Sequence, residues 1–170
     1  MSKALLKRLD LSLPGKWDSM VQGVLDIDQL QDPVGKVDLA RSLDNGLDLY
    51  RVSCPVGVLL IIFEARPEVV VQISCLSIKS GNAVLLKGGK EALKSNTALF
   101  AAIQRGILAS YGKSSISPDV VQLVETREDI KTLLGLDRFV DLVIPRGSNQ
   151  LVRYVQENTR FEYETMVFKF

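Results

Sequence analysis

Residues 1–46 carry short apolar repeats separated by polar positions, a pattern that predicts helices. The first helix is predicted from four leucines at roughly helical spacing: Leu5, Leu6, Leu9 and Leu13. Pro14-Gly15 interrupts this repeat, and a second short helix is predicted from Trp17 to Leu25, before Asp32-Pro33 ends it. We therefore expect residues 1–46 to form an N-terminal helical segment.

The pattern changes from helical to strand-forming at Asn45-Gly46, a tight-turn signal that predicts a hairpin or a sharp bend. Residues 47–53 then alternate apolar and polar, as in a half-buried strand. Val58–Phe63 is a continuous apolar run, as in a strand buried on both faces.

Strands and helices alternate through the rest of the chain. Further strands are predicted at 83–86, 120–124 and 139–144. Helices are predicted after Pro67, from an N-cap at Ser95 to about Ser110, after Arg127, and over about 150–157. This order predicts an α/β domain over residues 47–159, with a doubly wound parallel sheet. Such sheets bind ligands in the loops at the carboxyl ends of their strands.

Composition narrows the classes of partner. The formal net charge is +1, from 21 basic and 20 acidic residues without a basic block, so we expect no nucleic acid partner. The longest apolar run is too short to span a bilayer, and the N-terminus carries no signal peptide, so we expect no membrane partner. A hydrophobic fraction of 46% is typical of a globular domain with a core.

The chain contains no histidine and two cysteines, Cys54 and Cys75. Triads that need histidine cannot be assembled from these residues, and we expect no metal site. Cys54 precedes a proline and Cys75 lies on an apolar helix face, so we expect both to be core thiols. Two unclustered cysteines are typical of a reduced, intracellular compartment.

The loop after the first buried strand contains Glu64, Ala65, Arg66 and Pro67. A carboxylate and a guanidinium at a strand end can orient each other and a ligand. A salt bridge that merely caps the following helix explains the same residues, and the pattern leaves both alternatives open.

A second loop follows the next strand and contains Lys87, Gly88, Gly89, Lys90 and Glu91. The glycines permit close approach of the backbone to a ligand, and the lysines supply positive charge for phosphate. A solvated glycine turn with surface lysines is the alternative. The position after a strand favours anion binding.

A third loop places Gly147 and Ser148 at the start of the last helix, where backbone N–H groups and a hydroxyl can bind a pyrophosphate. The alternative is an N-cap serine beside a turn glycine. Thr126-Arg127, after the third strand, is either a contact to adenine or phosphate or simply a helix start. Neither G-x-G-x-x-G nor a P-loop motif is present.

Four segments together resemble the glutamate-5-semialdehyde dehydrogenase (gamma-glutamyl phosphate reductase) family of the aldehyde dehydrogenase superfamily. They are Cys54–Pro67, Ile78–Glu91, Val124–Arg127 and Asp141–Asn149. The early segments Leu5–Leu11 and Asp32–Lys36 are similar to the stand-alone fungal form. The resemblance extends from about residue 4 to about residue 159.

This resemblance implies an aldehyde dehydrogenase-like NADP-binding domain and the NADPH-dependent reduction of gamma-glutamyl phosphate to glutamate-5-semialdehyde in proline biosynthesis. The adenosine ribose and its phosphate would be bound by Lys87, Gly88, Gly89, Lys90 and Glu91. The pyrophosphate would contact Gly147 and Ser148. The nicotinamide and substrate side would be lined by Glu64, Ala65, Arg66 and Pro67. A cytoplasmic location and a homo-oligomer of the full-length protein are also implied.

The resemblance further implies that the domain is incomplete. The nucleophilic cysteine of the family lies in a downstream segment that is not found here, so we expect residues 1–46 to be a truncated segment and the chain to be inactive alone. Residues 160–170 depart from the family pattern and are expected to form a divergent tail. The alternatives are a non-catalytic NADP(H)-binding protein and a misfolded fragment.

Overall fold

A four-stranded parallel sheet forms the centre of the computed structural model, which describes residues 3–111, 115–124 and 130–159. The strands are β3 (Val58–Phe63), β4 (Ala83–Gly88), β5 (Val121–Leu123) and β6 (Leu142–Arg146), in the order β5-β4-β3-β6. The helices that follow them in turn are α3 (Glu68–Lys79), α4 (Leu93–Ser110), α5 (Ile130–Leu134) and α6 (Asn149–Asn158). Because β4 and β6 pair in parallel with opposite sides of β3, the prediction of a doubly wound parallel sheet is confirmed.

Two helices and a hairpin precede this sheet: α1 (Lys3–Leu9), α2 (Lys16–Gln29), β1 (Val37–Asp44) and β2 (Leu47–Val52). β1 pairs antiparallel with β2 across the turn at Asn45-Gly46, where Gly46 has φ 76°. The prediction of a helical segment over residues 1–46 is therefore wrong for Val37–Asp44. A tight turn before a strand needs an antiparallel partner on its other side, and these residues supply it.

The hairpin also departs from the predicted burial. Every residue of β2 is exposed, so the expectation of a half-buried strand is wrong. Arg51 Nε and Asp38 Oδ1 lie 2.7 Å apart and form an ion pair between the two strands of this exposed hairpin. The arginine lowers the pKa of Asp38, chiefly through that hydrogen bond.

Three predicted boundaries shift in the α/β part. β4 includes Lys87 and Gly88, which were expected in a loop. α4 begins at Leu93, so Ser95 is not its N-cap. β6 begins at Leu142 and continues through Pro145, which is tolerated because β6 is an edge strand of the sheet among the residues that the structure describes.

The core lies on both faces of the central strand. Leu59, Ile61 and Phe63 pack in one cluster with residues of β4, α3 and α4. Leu60 and Ile62 point to the other face, into a cluster formed with α5, β6 and α6. Since all of these side chains are buried, the prediction that Val58–Phe63 is covered on both sides is confirmed.

Two predictions fall on residues outside the described ranges: the role of Thr126-Arg127 and the divergent tail over 160–170. Among the helices that the structure describes, none has both the length and the apolar character needed to cross a membrane.

The two cysteines differ in environment. Cys54 is exposed in the connection between β2 and β3, so the prediction of a core thiol is wrong for it, whereas Cys75 is half-buried on α3. Burial raises the pKa of the Cys75 thiol above its ordinary value. At neutral pH a smaller fraction of Cys75 is therefore the reactive thiolate.

We expect a soluble disulfide reagent at pH 7.5 to modify Cys54 at least about tenfold faster than Cys75, because Cys54 is exposed, whereas Cys75 is half-buried and burial raises its pKa. The labelling rate of Cys75 should keep increasing as the pH is raised above 9. Single Cys54→Ser and Cys75→Ser variants assign the two phases. Equal labelling rates for the two thiols at pH 7.5 would contradict the difference in burial between Cys54 and Cys75.

Candidate functional site

A cavity of about 730 Å³ lies at the carboxyl ends of β3 and β6, where the winding direction of the sheet reverses. It is lined by the loops after these two strands, by one residue after β4, and by α1 and α6. The lining residues are Leu5, Arg8, Glu64, Ala65, Arg66, Glu91, Pro145, Arg146, Gly147, Ser148, Asn149 and Val152.

Glu64 connects the end of β3 to the start of α6. Its backbone N–H donates to the carbonyl of Arg146 at 3.2 Å, and its carboxylate Oε2 accepts the backbone N–H of Ser148 at 2.9 Å. The partial positive charge at a helix N-terminus stabilises a carboxylate in this position. No ion pair joins Glu64 to Arg66, so the expectation that these two side chains orient each other is wrong, as is the alternative of a capping salt bridge.

Ala65 has an unusual backbone conformation that a second carboxylate supports. Its φ is 50°, in the left-handed region that a side chain disfavours. Its N–H donates to Glu91 Oε1 at 2.7 Å, so the loop after β4 holds the loop after β3. Strain of this kind persists where neighbouring contacts enforce it, and such positions cluster at functional sites.

Gly147 and Ser148 lie at the edge of the cavity. Ser148 is the N-cap of α6, and its Oγ accepts the N–H of Leu151 at 3.3 Å, which confirms the helix-capping alternative. A Cβ on Gly147 would lie 2.5 Å from Glu64 Oε2, so a glycine is needed for the carboxylate to reach Ser148. The contact of these residues with a pyrophosphate stays a prediction.

The loop after β4 contributes unequally to the cavity. Glu91 lines it, whereas Lys87, Gly88, Gly89 and Lys90 lie beside it at the end of the neighbouring strand. The close approach that Gly88 permits is to the protein itself, since a Cβ would lie 2.2 Å from Nδ2 of the buried Asn96. A Cβ on Gly89 would likewise lie 2.1 Å from Glu91 Oε1.

The remaining predicted substrate-side residue does not line the cavity. Pro67 is buried at the start of α3 and is not part of the lining. The structure thus brings together Glu64, Ala65, Arg66 and Glu91 with the Gly147-Ser148 turn.

Three arginines also line the cavity: Arg8, Arg66 and Arg146. Sequence reasoning did not single out Arg8, which comes from a helix distant in the chain, and it gave no role to Arg146. A role for Arg146 could have been predicted from the sequence, because it is the last residue of a strand that ends at the reversal point of the sheet. None of the three forms an ion pair with any residue that the structure describes.

The site favours anions. Its two carboxylates are each held by a backbone N–H, and its three guanidinium groups have no carboxylate partner in the described part of the chain. Within the same ranges, no group of three or more acidic or cysteine side chains is placed to hold a metal ion. Neither Cys54 nor Cys75 lines the cavity.

Comparisons with known proteins confirm the resemblance. A probable gamma-glutamyl phosphate reductase of Schizosaccharomyces pombe is 58% identical over 160 residues, which make up 94% of this chain and 35% of the relative. The crystal structure of gamma-glutamyl phosphate reductase from Saccharomyces cerevisiae matches with a TM-score of 0.88 and 49% identity, over 94% of this chain and 40% of that one. No protein-family model matches this chain.

A more distant structure defines the wider fold. A probable aldehyde dehydrogenase from Listeria monocytogenes has a TM-score of 0.60 at 17% identity, over 84% of this chain and 32% of that one. The predicted aldehyde dehydrogenase-like fold is therefore confirmed. The chain spans little more than a third of the length of the curated relatives it matches.

Proposed function

We propose that this chain, which is similar over 94% of its length to gamma-glutamyl phosphate reductases, forms the NADP(H)-binding part of such an enzyme. That enzyme reduces gamma-glutamyl phosphate to glutamate-5-semialdehyde in proline biosynthesis. The cavity at the reversal point of the sheet carries the proposal, because it combines the expected position for a dinucleotide with unpaired positive charge.

The residues present fit this cofactor. Lys87 and Lys90, at the end of β4, can bind the adenosine ribose and its phosphate, together with Gly88, Gly89 and Glu91. Gly147 and Ser148 can contact the pyrophosphate through the N-terminus of α6. When bound, NADPH supplies a hydride.

The loop after β3 would lie on the nicotinamide and substrate side. Glu91 accepts the backbone N–H of Ala65 in this loop, and Glu64 accepts the backbone N–H of Ser148. These two bonds fix the shape of the cavity in the absence of a ligand. Arg66 presents a cation to the cavity, where it can orient a phosphate or a carboxylate. Pro67 fixes the start of α3 beneath this loop.

The test is NADPH binding by the purified chain, measured by calorimetry. We expect saturable binding, with Lys87→Ala and Lys90→Ala each raising the Kd about five- to tenfold, which corresponds to about 1–1.4 kcal/mol. Lys36→Ala is the matched control, because Lys36 is exposed and precedes the hairpin. A folded sample that shows no saturable binding would contradict the proposal.

Binding without catalysis is the second candidate, and the lining of the cavity favours it for the chain alone. Transfer from an acyl phosphate through a thioester needs a thiolate at the reacting carbon, and neither cysteine lines the cavity. We therefore propose that the nucleophile of the complete enzyme is neither Cys54 nor Cys75. Oxidation of NADPH in the presence of gamma-glutamyl phosphate by this chain alone would overturn that assignment.

A cytoplasmic location and assembly into homo-oligomers remain parts of the same proposal. The free thiols of Cys54 and Cys75 support a reducing compartment.

A further inference from the structure

Arg8 is brought to the cavity from a part of the chain that belongs to neither the sheet nor its crossover helices. It lies near the end of α1 and lines the cavity with Arg66 and Arg146, which lie at the ends of β3 and β6. Three guanidinium groups, from three separate segments of the chain, thus line the same cavity.

None of these cations forms an ion pair with the two carboxylates that line the same cavity, and the lining keeps a formal charge of +1 from three arginines and two glutamates. Glu64 Oε2 accepts the N–H of Ser148, and Glu91 Oε1 accepts the N–H of Ala65. No carboxylate of the described residues lies within ion-pair distance of Arg8, Arg66 or Arg146. The three guanidinium groups are therefore available to an anion, and a guanidinium fork matches the oxygen geometry of a phosphate.

The backbone of Arg8 is fixed although its side chain is exposed. Lys16 Nζ donates to the carbonyl oxygen of Arg8, and the N–H of Asp10 donates to the carbonyl oxygen of Leu6 at 3.0 Å. Asp10 Oδ1 in turn accepts the N–H of Ser12 at 2.9 Å. These bonds end α1 in a defined turn, so the Arg8 side chain starts from a held position beside the cavity.

We propose that Arg8 is a phosphate-binding residue of this site, acting with Arg66 and Arg146. This role of Arg8 rests on the proposed function, because the proposed reaction supplies the ligands that carry a phosphate. Two ligands of that reaction carry the group: the dinucleotide, in its pyrophosphate, and the acyl phosphate substrate. The chemistry that Arg8 recognises is the same in both.

Inorganic phosphate is the first probe, titrated into the 170-residue chain and followed by calorimetry. Arg8→Ala and Arg8→Gln are each expected to raise the Kd for phosphate at least about tenfold, and Arg8→Lys to raise it less, because a lysine keeps the charge and loses the fork. Arg105→Ala is the control, because Arg105 is exposed on α4 and lies outside the cavity. The Kd of this variant for phosphate should stay within about twofold of the parent value.

A second titration, with NADP⁺ in the absence and presence of saturating phosphate, separates the two sources. Competition means that Arg8 holds the position of the cofactor's pyrophosphate. Simultaneous binding means that it holds a separate phosphate position, as expected for the acyl phosphate.

The proposal is overturned if the parent chain binds no phosphate, or if folded Arg8→Ala and Arg8→Gln variants bind it as the parent does. Failure of the proposed function looks different. In that case NADP⁺ does not bind, while phosphate still binds the parent chain and is weakened by both Arg8 variants.

Discussion

Replacing Gly57 with alanine should lower the free energy of unfolding by about 2–4 kcal/mol, because backbone strain and a clash with a hydrogen-bonded carboxylate add at one position. Gly57 has φ 125°, a conformation that residues with a side chain rarely adopt. A Cβ there would lie 2.1 Å from Asp141 Oδ2, which accepts the N–H of Val58 at 2.7 Å. The N–H of Gly57 donates to Asn82 Oδ1 at 2.8 Å, so the backbone cannot move without further loss.

The measurement is equilibrium unfolding in urea, with Gly106→Ala as the matched control. Gly106 lies inside α4 with no atom within 4 Å of an added Cβ, so alanine should stabilise the chain there by about 0.5–1 kcal/mol. The same substitution is thus expected to have opposite signs at two glycines. A Gly57→Ala variant as stable as the parent would show that this connection is free to relax.

Gly147→Ala should raise the Kd for NADP(H) at least about thirtyfold, equivalent to about 2 kcal/mol. The added Cβ would lie 2.5 Å from Glu64 Oε2 and 2.8 Å from Leu151 Cδ2. Leu151 is buried in the core beneath α6, so it has little room to move. The Glu64 carboxylate must then leave Ser148, or the turn must shift, and either change distorts the edge of the cavity.

Calorimetry with NADPH measures this effect, and Gly23→Ala is the control. A Cβ on Gly23, in α2, would meet Gln72 Nε2 at an ordinary 3.9 Å, so binding should not change. Urea unfolding of both variants separates loss of the site from loss of the fold. If Gly147→Ala keeps its stability and binds NADPH normally, the turn before α6 does not contact the cofactor.

The sheet was predictable because its two central strands are apolar: β3 is buried along almost its whole length, and β4 alternates buried with half-buried residues. Val58–Phe63 and the strand beginning at Ala83 are continuous apolar runs, a pattern that few other structures produce. β1 was missed because its apolar alternation is weak: Arg41 interrupts the series of Val37, Leu39 and Leu43, and the strand is exposed almost throughout. Only the Asn45-Gly46 turn pointed to it, and a turn shows that a partner strand exists without giving its length.

The site was predictable where it depends on strand ends. The order of elements implies parallel strands whose loops share one edge of the sheet, and Glu64, Gly147 and Ser148 meet there because the structure pairs β3 with β6. Arg8 was not predictable, since no periodicity relates α1 to that edge. The Lys87–Glu91 loop was partly misjudged, because a glycine that allows close approach does not say what approaches, and Gly88 accommodates Asn96.

The bond between Glu64 and Ser148 would make the proposed binding of a phosphate at the start of α6 an exchange of one anion for another. A phosphate oxygen that takes the Ser148 N–H must first release the carboxylate that accepts it at 2.9 Å. The measured affinity would therefore be the difference between two interactions with the same donor, and it would understate the strength of the new contact. The backbone bond from the Glu64 N–H to the Arg146 carbonyl, at 3.2 Å, is separate from this exchange and would keep the start of the β3 loop against the end of β6.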